Sequence, residues 1–137
     1  MKILIVEDQL SIQEKLRFVL EGHGSIDTAL NGREAVEAFC RALANRSPYD
    51  LVLMDIQMPE MDGQTALKEM RKAEVTMSKA NLLSWDKKLA FIVMVTSLED
   101  PGNCMEAYFK GRCNGYITKP VDSRELLDKL RDNGLIP

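Results

Sequence analysis

Three short stretches of the chain are almost wholly apolar: residues 3–6 (Ile-Leu-Ile-Val), 51–54 (Leu-Val-Leu-Met) and 91–95 (Phe-Ile-Val-Met-Val). Unbroken apolar runs of this kind suit strands covered on both faces, as in a parallel sheet. Two further runs, residues 25–30 and 116–118, bring the number of expected strands to five. Helical patterns alternate with them. Ser11 with Glu14 reads as a capping box, and Ile12, Leu16, Val19 and Leu20 follow at helical spacing. Asn31 with Glu34 opens a second helix carrying Ala35, Phe39 and Leu43, and a third starts near Gly63 with Leu67 and Met70 on one side. Asp100 before Pro101 makes an N-cap and first-turn pair for a fourth helix. Asp122 with Glu125 caps a fifth, with Leu126, Leu127 and Leu130 inward and Gly134 as its stop.

Strand followed by helix, five times over, predicts an α/β fold with a parallel sheet, and right-handed crossovers place helices on both faces. A length of 137 residues suits one domain over 1–137, with 45% hydrophobic and 28% charged residues. One connection breaks the rhythm. Residues 74–90 form an extended link between the third helix and fourth strand, with the only tryptophan, Trp85, and with Leu82 and Leu89 at helical spacing after Ser78. This segment either extends the third helix or forms a short extra one.

Composition removes several functions. A net charge of −3 gives no whole-chain case for nucleic-acid binding. Cys40, Cys104 and Cys113 are odd in number and unpaired in spacing, so neither a disulfide framework nor a zinc site is expected, and they read as thiols in or near a reduced core. His23 alone cannot build an imidazole metal site. The first apolar run is stopped by Glu7 and Asp8, too short for a leader core or membrane span. A cytoplasmic protein without membrane contact is expected.

In a parallel α/β sheet, chemistry gathers beyond the carboxyl ends of the strands. Glu7 and Asp8 follow the first strand, Asp55 ends the third, Thr96 ends the fourth, and Lys119 follows the fifth. Alone, each has an ordinary structural explanation. Together they put three carboxylates, a hydroxyl and an ammonium at one edge. Clustered carboxylates resist ionising without a counter-charge. Mg²⁺ supplies one, since it takes oxygen ligands from one or two carboxylates, waters and a phosphate. Phosphoryl transfer needs such positioning and charge neutralisation, and a carboxylate can itself be the nucleophile. Asp55 is the expected acceptor.

The blocks carrying these residues are Lys2-Ile3-Leu4-Ile5-Val6-Glu7-Asp8, Asp50-Leu51-Val52-Leu53-Met54-Asp55-Ile56-Gln57-Met58-Pro59, Met61-Asp62-Gly63, Val95-Thr96-Ser97 and Gly115-Tyr116-Ile117-Thr118-Lys119-Pro120. They resemble the response-regulator receiver family of two-component signalling, in its chemotaxis-regulator-like form, over nearly the whole chain. The resemblance implies a doubly wound, flavodoxin-like sheet of order 2-1-3-4-5. It makes Asp55 the phosphoacceptor and Asp8 the direct Mg²⁺ ligand. Glu7 would act beside it through water, and the Gln57 backbone carbonyl would complete the shell. Thr96 and Lys119 would contact the phosphoryl oxygens, the Lys119–Pro120 peptide would be cis, and Tyr116 would be the aromatic switch. Phosphorylation would then change the face made by the fourth helix, fifth strand and fifth helix. The implied partners are a histidine kinase or histidine phosphotransfer protein as donor, and a downstream protein target or output domain. A phosphorylation-dependent homodimer is compatible with that face. The implied chemistry is limited to the protein's own phosphorylation and dephosphorylation.

Rival readings fit less well. A flavodoxin needs a Ser/Thr/Gly-rich phosphate loop where Glu7-Asp8-Gln9 stands. A haloacid-dehalogenase-like phosphatase needs Asp-x-Asp, and its second acid is here Gln57. A pure docking module would not need the complete acidic set with Thr96 and Lys119. Gln57 and Leu98 occupy positions that tune hydrolysis in the family.

Overall fold

The computed structural model describes residues 1–79, 89–97 and 112–137. Five strands, β1 (Lys2–Val6), β2 (Ser25–Ala29), β3 (Leu51–Asp55), β4 (Phe91–Thr96) and β5 (Gly115–Thr118), form one sheet of order β2-β1-β3-β4-β5. Every neighbouring pair is parallel. The described helices are α1 (Leu10–Leu20), α2 (Gly32–Ala44), α3 (Gly63–Lys79) and α4 (Ser123–Asp132), the last being the fifth helix of the sequence pattern. The fourth helix expected at Asp100-Pro101, Leu98, Cys104, and Leu82 with Trp85 all lie outside the described residues.

The two-residue period of a strand explains why the central runs are apolar throughout. Leu4, Val6, Val52, Met54, Ile92 and Met94 face one way and pack with Ala35, Phe39 and Leu43 of α2 and Ala66, Leu67 and Met70 of α3. Ile3, Ile5, Leu51, Leu53, Val93 and Val95 face the other way and meet Leu16 and Leu20 of α1 and Leu126 and Leu130 of α4. Both faces are thus covered. The two edge strands, β2 and β5, instead alternate between covered and more exposed residues.

Helix ends mostly follow the expected chemistry. Asn31 Oδ1 accepts from Glu34 N at 2.8 Å, and Asp122 Oδ1 accepts from Arg124 N at 2.8 Å and Glu125 N at 3.3 Å. Gly134 adopts φ 75° just beyond α4, where a side chain would be strained. The capping box at Ser11 is a correction. The N-cap lies two residues earlier, at Gln9, so that the helix starts at Leu10, and Gln9 makes no side-chain cap bond. The Gln9 carbonyl instead takes Ile12 N and Gln13 N, because the chain turns directly from the acidic pair into the helix. A second correction concerns Cys40, which is exposed on α2, whereas Cys113 is buried. The 74–90 connection begins as helix, since α3 runs to Lys79. No helix among the described residues is long and apolar enough to cross a membrane.

Candidate functional site

Parallel pairing brings the carboxyl ends of β1, β3, β4 and β5 to one edge. Val6 pairs with Met54, Asp55 with Val95, and Thr96 with Thr118. Glu7 and Asp8 therefore leave the sheet beside Asp55, and Lys119 follows one strand beyond Thr96. Backbone bonds hold these ends: Glu7 N donates to Ala29 O at 3.0 Å, Ile56 N to Val95 O at 3.1 Å, and Lys119 N to Thr96 O at 2.7 Å. The Lys119–Pro120 peptide is cis. Gly63 opens α3 against the same edge, where a Cβ would collide with the Asp55 carbonyl.

Glu7, Asp8 and Asp55 each present a carboxylate oxygen within 4.8 Å of the others. Glu7 and Asp55 are buried, at 1% and 4% exposure, while Asp8 is exposed. Lys119 Nζ lies 3.0 Å from Asp55 Oδ2 and 3.5 Å from Glu7 Oε2. Burial, then the Asp55 charge, raises the Glu7 pKa to about 7, with Lys119 opposing the shift. For Lys119, burial works downward, but the hydrogen bond to Asp55 and the charges of Asp55 and Glu7 prevail and raise it. The site at neutral pH thus holds one firm cation beside a Glu7 carboxyl that is reluctant to ionise. Glu7 Oε2 is buried and accepts no hydrogen bond among the described residues. Three hard oxygen donors, one of them without a hydrogen bond and met by the Lys119 ammonium at 3.5 Å, fit a divalent cation such as Mg²⁺.

The other expected residues sit nearby with one exception. Gln57 donates its backbone N–H to Asp55 Oδ1 at 3.3 Å and shares a surface depression with Asp8, Met58 and Asp62. Thr96 is buried at the end of β4. Tyr116 is not part of the cluster. It lies on β5 and is 39% exposed.

Sequence reasoning passed over two side chains of α1 that reach this edge. Gln13 Nε2 donates to Glu7 O at 3.2 Å and Ala29 O at 3.4 Å, and Lys15 Nζ donates to Val121 O at 2.7 Å. A signal existed for Gln13, a polar residue in phase with Leu16 and Leu20 on the buried stripe. None existed for Lys15, whose partner is 106 residues away.

A family model described as the response regulator receiver domain matches residues 3–131. Chemotaxis protein CheY of Treponema pallidum is 32% identical over 131 residues, covering 94% of this chain and 79% of that protein. Transcriptional regulatory protein DltR of Streptococcus agalactiae is 31% identical over 132 residues, and the chain spans only 50% of its length. Among solved structures, the receiver domain of the Saccharomyces cerevisiae response regulator Ssk1, crystallised with the histidine phosphotransfer protein Ypd1, superposes with a TM-score of 0.81 at 30% identity. That match covers 96% of this chain and 87% of the other.

Proposed function

Because the chain belongs to the response-regulator receiver family of two-component signalling, we propose that Asp55 is its phosphoacceptor and that Glu7, Asp8, Asp55 and the Gln57 backbone carbonyl hold Mg²⁺. The reading is carried by one observation: three carboxylates within 4.8 Å of one another, with an ammonium 3.0 Å from Asp55. An Asp55 oxygen forms the new P–O bond while the P–N bond to a donor phosphohistidine breaks. The imidazole leaves with the bonding pair and takes a proton from water. Bound Mg²⁺ would neutralise charge on the phosphoryl oxygens. Lys119 orients the acceptor carboxylate and meets the incoming negative charge, and Thr96 offers its hydroxyl to a phosphoryl oxygen.

The donor is a histidine kinase or a histidine phosphotransfer protein. The pairing of the Ssk1 receiver with Ypd1 supports this choice. The output is a protein target or an attached domain, read through β5 with Tyr116, α4, and the helix expected at Asp100. Once phosphorylated, Asp55 draws Thr96 inward, and Tyr116 follows into the space released.

Incubation with acetyl phosphate and Mg²⁺ is expected to add one phosphoryl group, mapped by mass spectrometry to the peptide containing Asp55 and abolished by a chelator. No adduct, or one on another residue, would refute the assignment. A pH dependence follows as well. A cation entering the site must displace the Glu7 proton, and Glu7 titrates at about 7. Mg²⁺ affinity measured by calorimetry is therefore expected to fall about tenfold from pH 8 to pH 6. A flat profile would show that Glu7 stays outside the metal's reach.

A further inference from the structure

Two side chains of α1 touch the backbone of both charged halves of the site. Gln13 is buried, at 7% exposure, in the second turn of a helix whose inward neighbours Leu16 and Leu20 are apolar. Its amide spans the Glu7 and Ala29 carbonyls, the two points where β1 and β2 end. Ala29 O also accepts Glu7 N, so the backbone of Glu7 is gripped from both of its polar groups. Lys15, two residues on, sends its ammonium to the Val121 carbonyl at 2.7 Å. Val121 is buried and lies two residues beyond Lys119. The loop between β5 and α4 that carries the site's cation is therefore tied across the molecule to the helix that follows the acidic pair.

We propose that Gln13 and Lys15 are positioning residues for phosphoryl acceptance. Gln13 sets the strand end that presents Glu7 and Asp8, and Lys15 sets the loop that presents Lys119. The proposal rests on the reading of the site given above. Neither side chain touches the reacting carboxylate. Each acts through backbone carbonyls, Gln13 through two and Lys15 through one, so its loss misplaces a charged group and leaves the chemistry itself intact. Groups that orient metal ligands commonly change affinity or activity by about ten- to a hundredfold when removed, and small displacements of a catalytic group have comparable effects.

The two roles separate experimentally. Gln13→Met keeps the bulk and removes the donor. It is expected to weaken Mg²⁺ binding, measured by calorimetry, about tenfold, with acetyl phosphate uptake at saturating Mg²⁺ near wild type. Lys15→Met keeps the aliphatic stem and is expected to leave Mg²⁺ affinity unchanged while slowing uptake at saturating Mg²⁺ about tenfold. Lys15→Arg, which restores a cationic donor, should recover most of that rate. Lowered melting temperatures with wild-type Mg²⁺ affinity and wild-type uptake would overturn the proposal, because bracing would then serve the fold alone. Lys15 is solvent-exposed, so its variants test the idea even if Gln13→Met does not fold. Failure of the wild-type protein to take up phosphoryl would instead refute the underlying site assignment.

Discussion

Arg71→Met is expected to cost about 3–5 kcal/mol of folding stability, far more than a surface ion pair would. Arg71 and Glu74 stand one turn apart on α3 and look like an ordinary solvent-facing pair in the sequence, yet their side chains are only 11% and 4% exposed. Arg71 Nη1 donates to Glu74 Oε1 at 2.8 Å and to Ala90 O at 2.9 Å. Its Nη2 reaches Asn114 Oδ1 at 2.7 Å, and its Nε reaches Arg112 O at 3.0 Å. Glu74 Oε2 takes Ala90 N at 2.8 Å, and Asn114 Oδ1 also takes Ile92 N at 2.8 Å. One guanidinium therefore joins α3 to the entry of β4 and to the segment leading into β5. Removing it leaves a buried carboxylate without its cation and strips a donor from three acceptors. Urea denaturation should show a lower midpoint with an unchanged slope. Replacing both partners, as Arg71→Met with Glu74→Leu, should cost less than the sum of the single changes, since the unpaired charge is gone. A single-variant loss under about 1 kcal/mol would mean that water reaches the pair and screens it.

This network also marks where sequence reading ran out. The strand runs were legible because a strand covered on both faces must be apolar at consecutive positions, and β1, β3 and β4 are. That the candidate residues Glu7, Asp8, Asp55 and Lys119 would come together was legible because each falls at or just after a strand's carboxyl end, a position that a parallel sheet gathers to one edge. Burial of charge has no such signature. Arg71 finds three of its four acceptors 19 to 43 residues away, and only the helical phase of Glu74 with the buried Leu67 and Met70 sets it apart from the exposed Glu69 on the same helix. The misplaced cap at Ser11 has a similar origin. Ser-x-x-Glu spacing describes a local option, whereas the start of α1 is decided by how the chain leaves β1 at Glu7 and Asp8. Lys15 belongs with Arg71, because its partner exists only once the sheet has formed, whereas Gln13 left a local trace in its phase with Leu16 and Leu20.

Asp55→Asn is expected to reduce acetyl phosphate uptake by at least about 10³-fold, the scale on which loss of a catalytic nucleophile acts, while preserving the fold. The amide keeps the shape of the carboxylate but is far too weak a nucleophile to form the acyl phosphate. A second consequence tests the electrostatics independently of phosphate. In the metal-free wild type the Glu7 pKa is raised from 4.5 to about 7. The folded protein therefore holds this proton where the unfolded chain has lost it. The stability linked to it is fully present below about pH 4.5 and is lost as pH rises through about 7. Burial is the larger cause of the shift and Asp55 the next. In Asp55→Asn the second cause disappears, and Lys119, 3.5 Å from Glu7 Oε2, no longer divides its attraction between two carboxylates. The Glu7 pKa should move down toward its ordinary value, so the fall in melting temperature between pH 5 and pH 8, measured in chelator, should be smaller in the variant than in the wild type. An unchanged fall would mean that burial alone governs Glu7. Retained uptake in the variant would place the acceptor elsewhere. With Asp55 as the proposed acceptor and also the largest charge raising the Glu7 pKa, its loss is expected to register in both measurements.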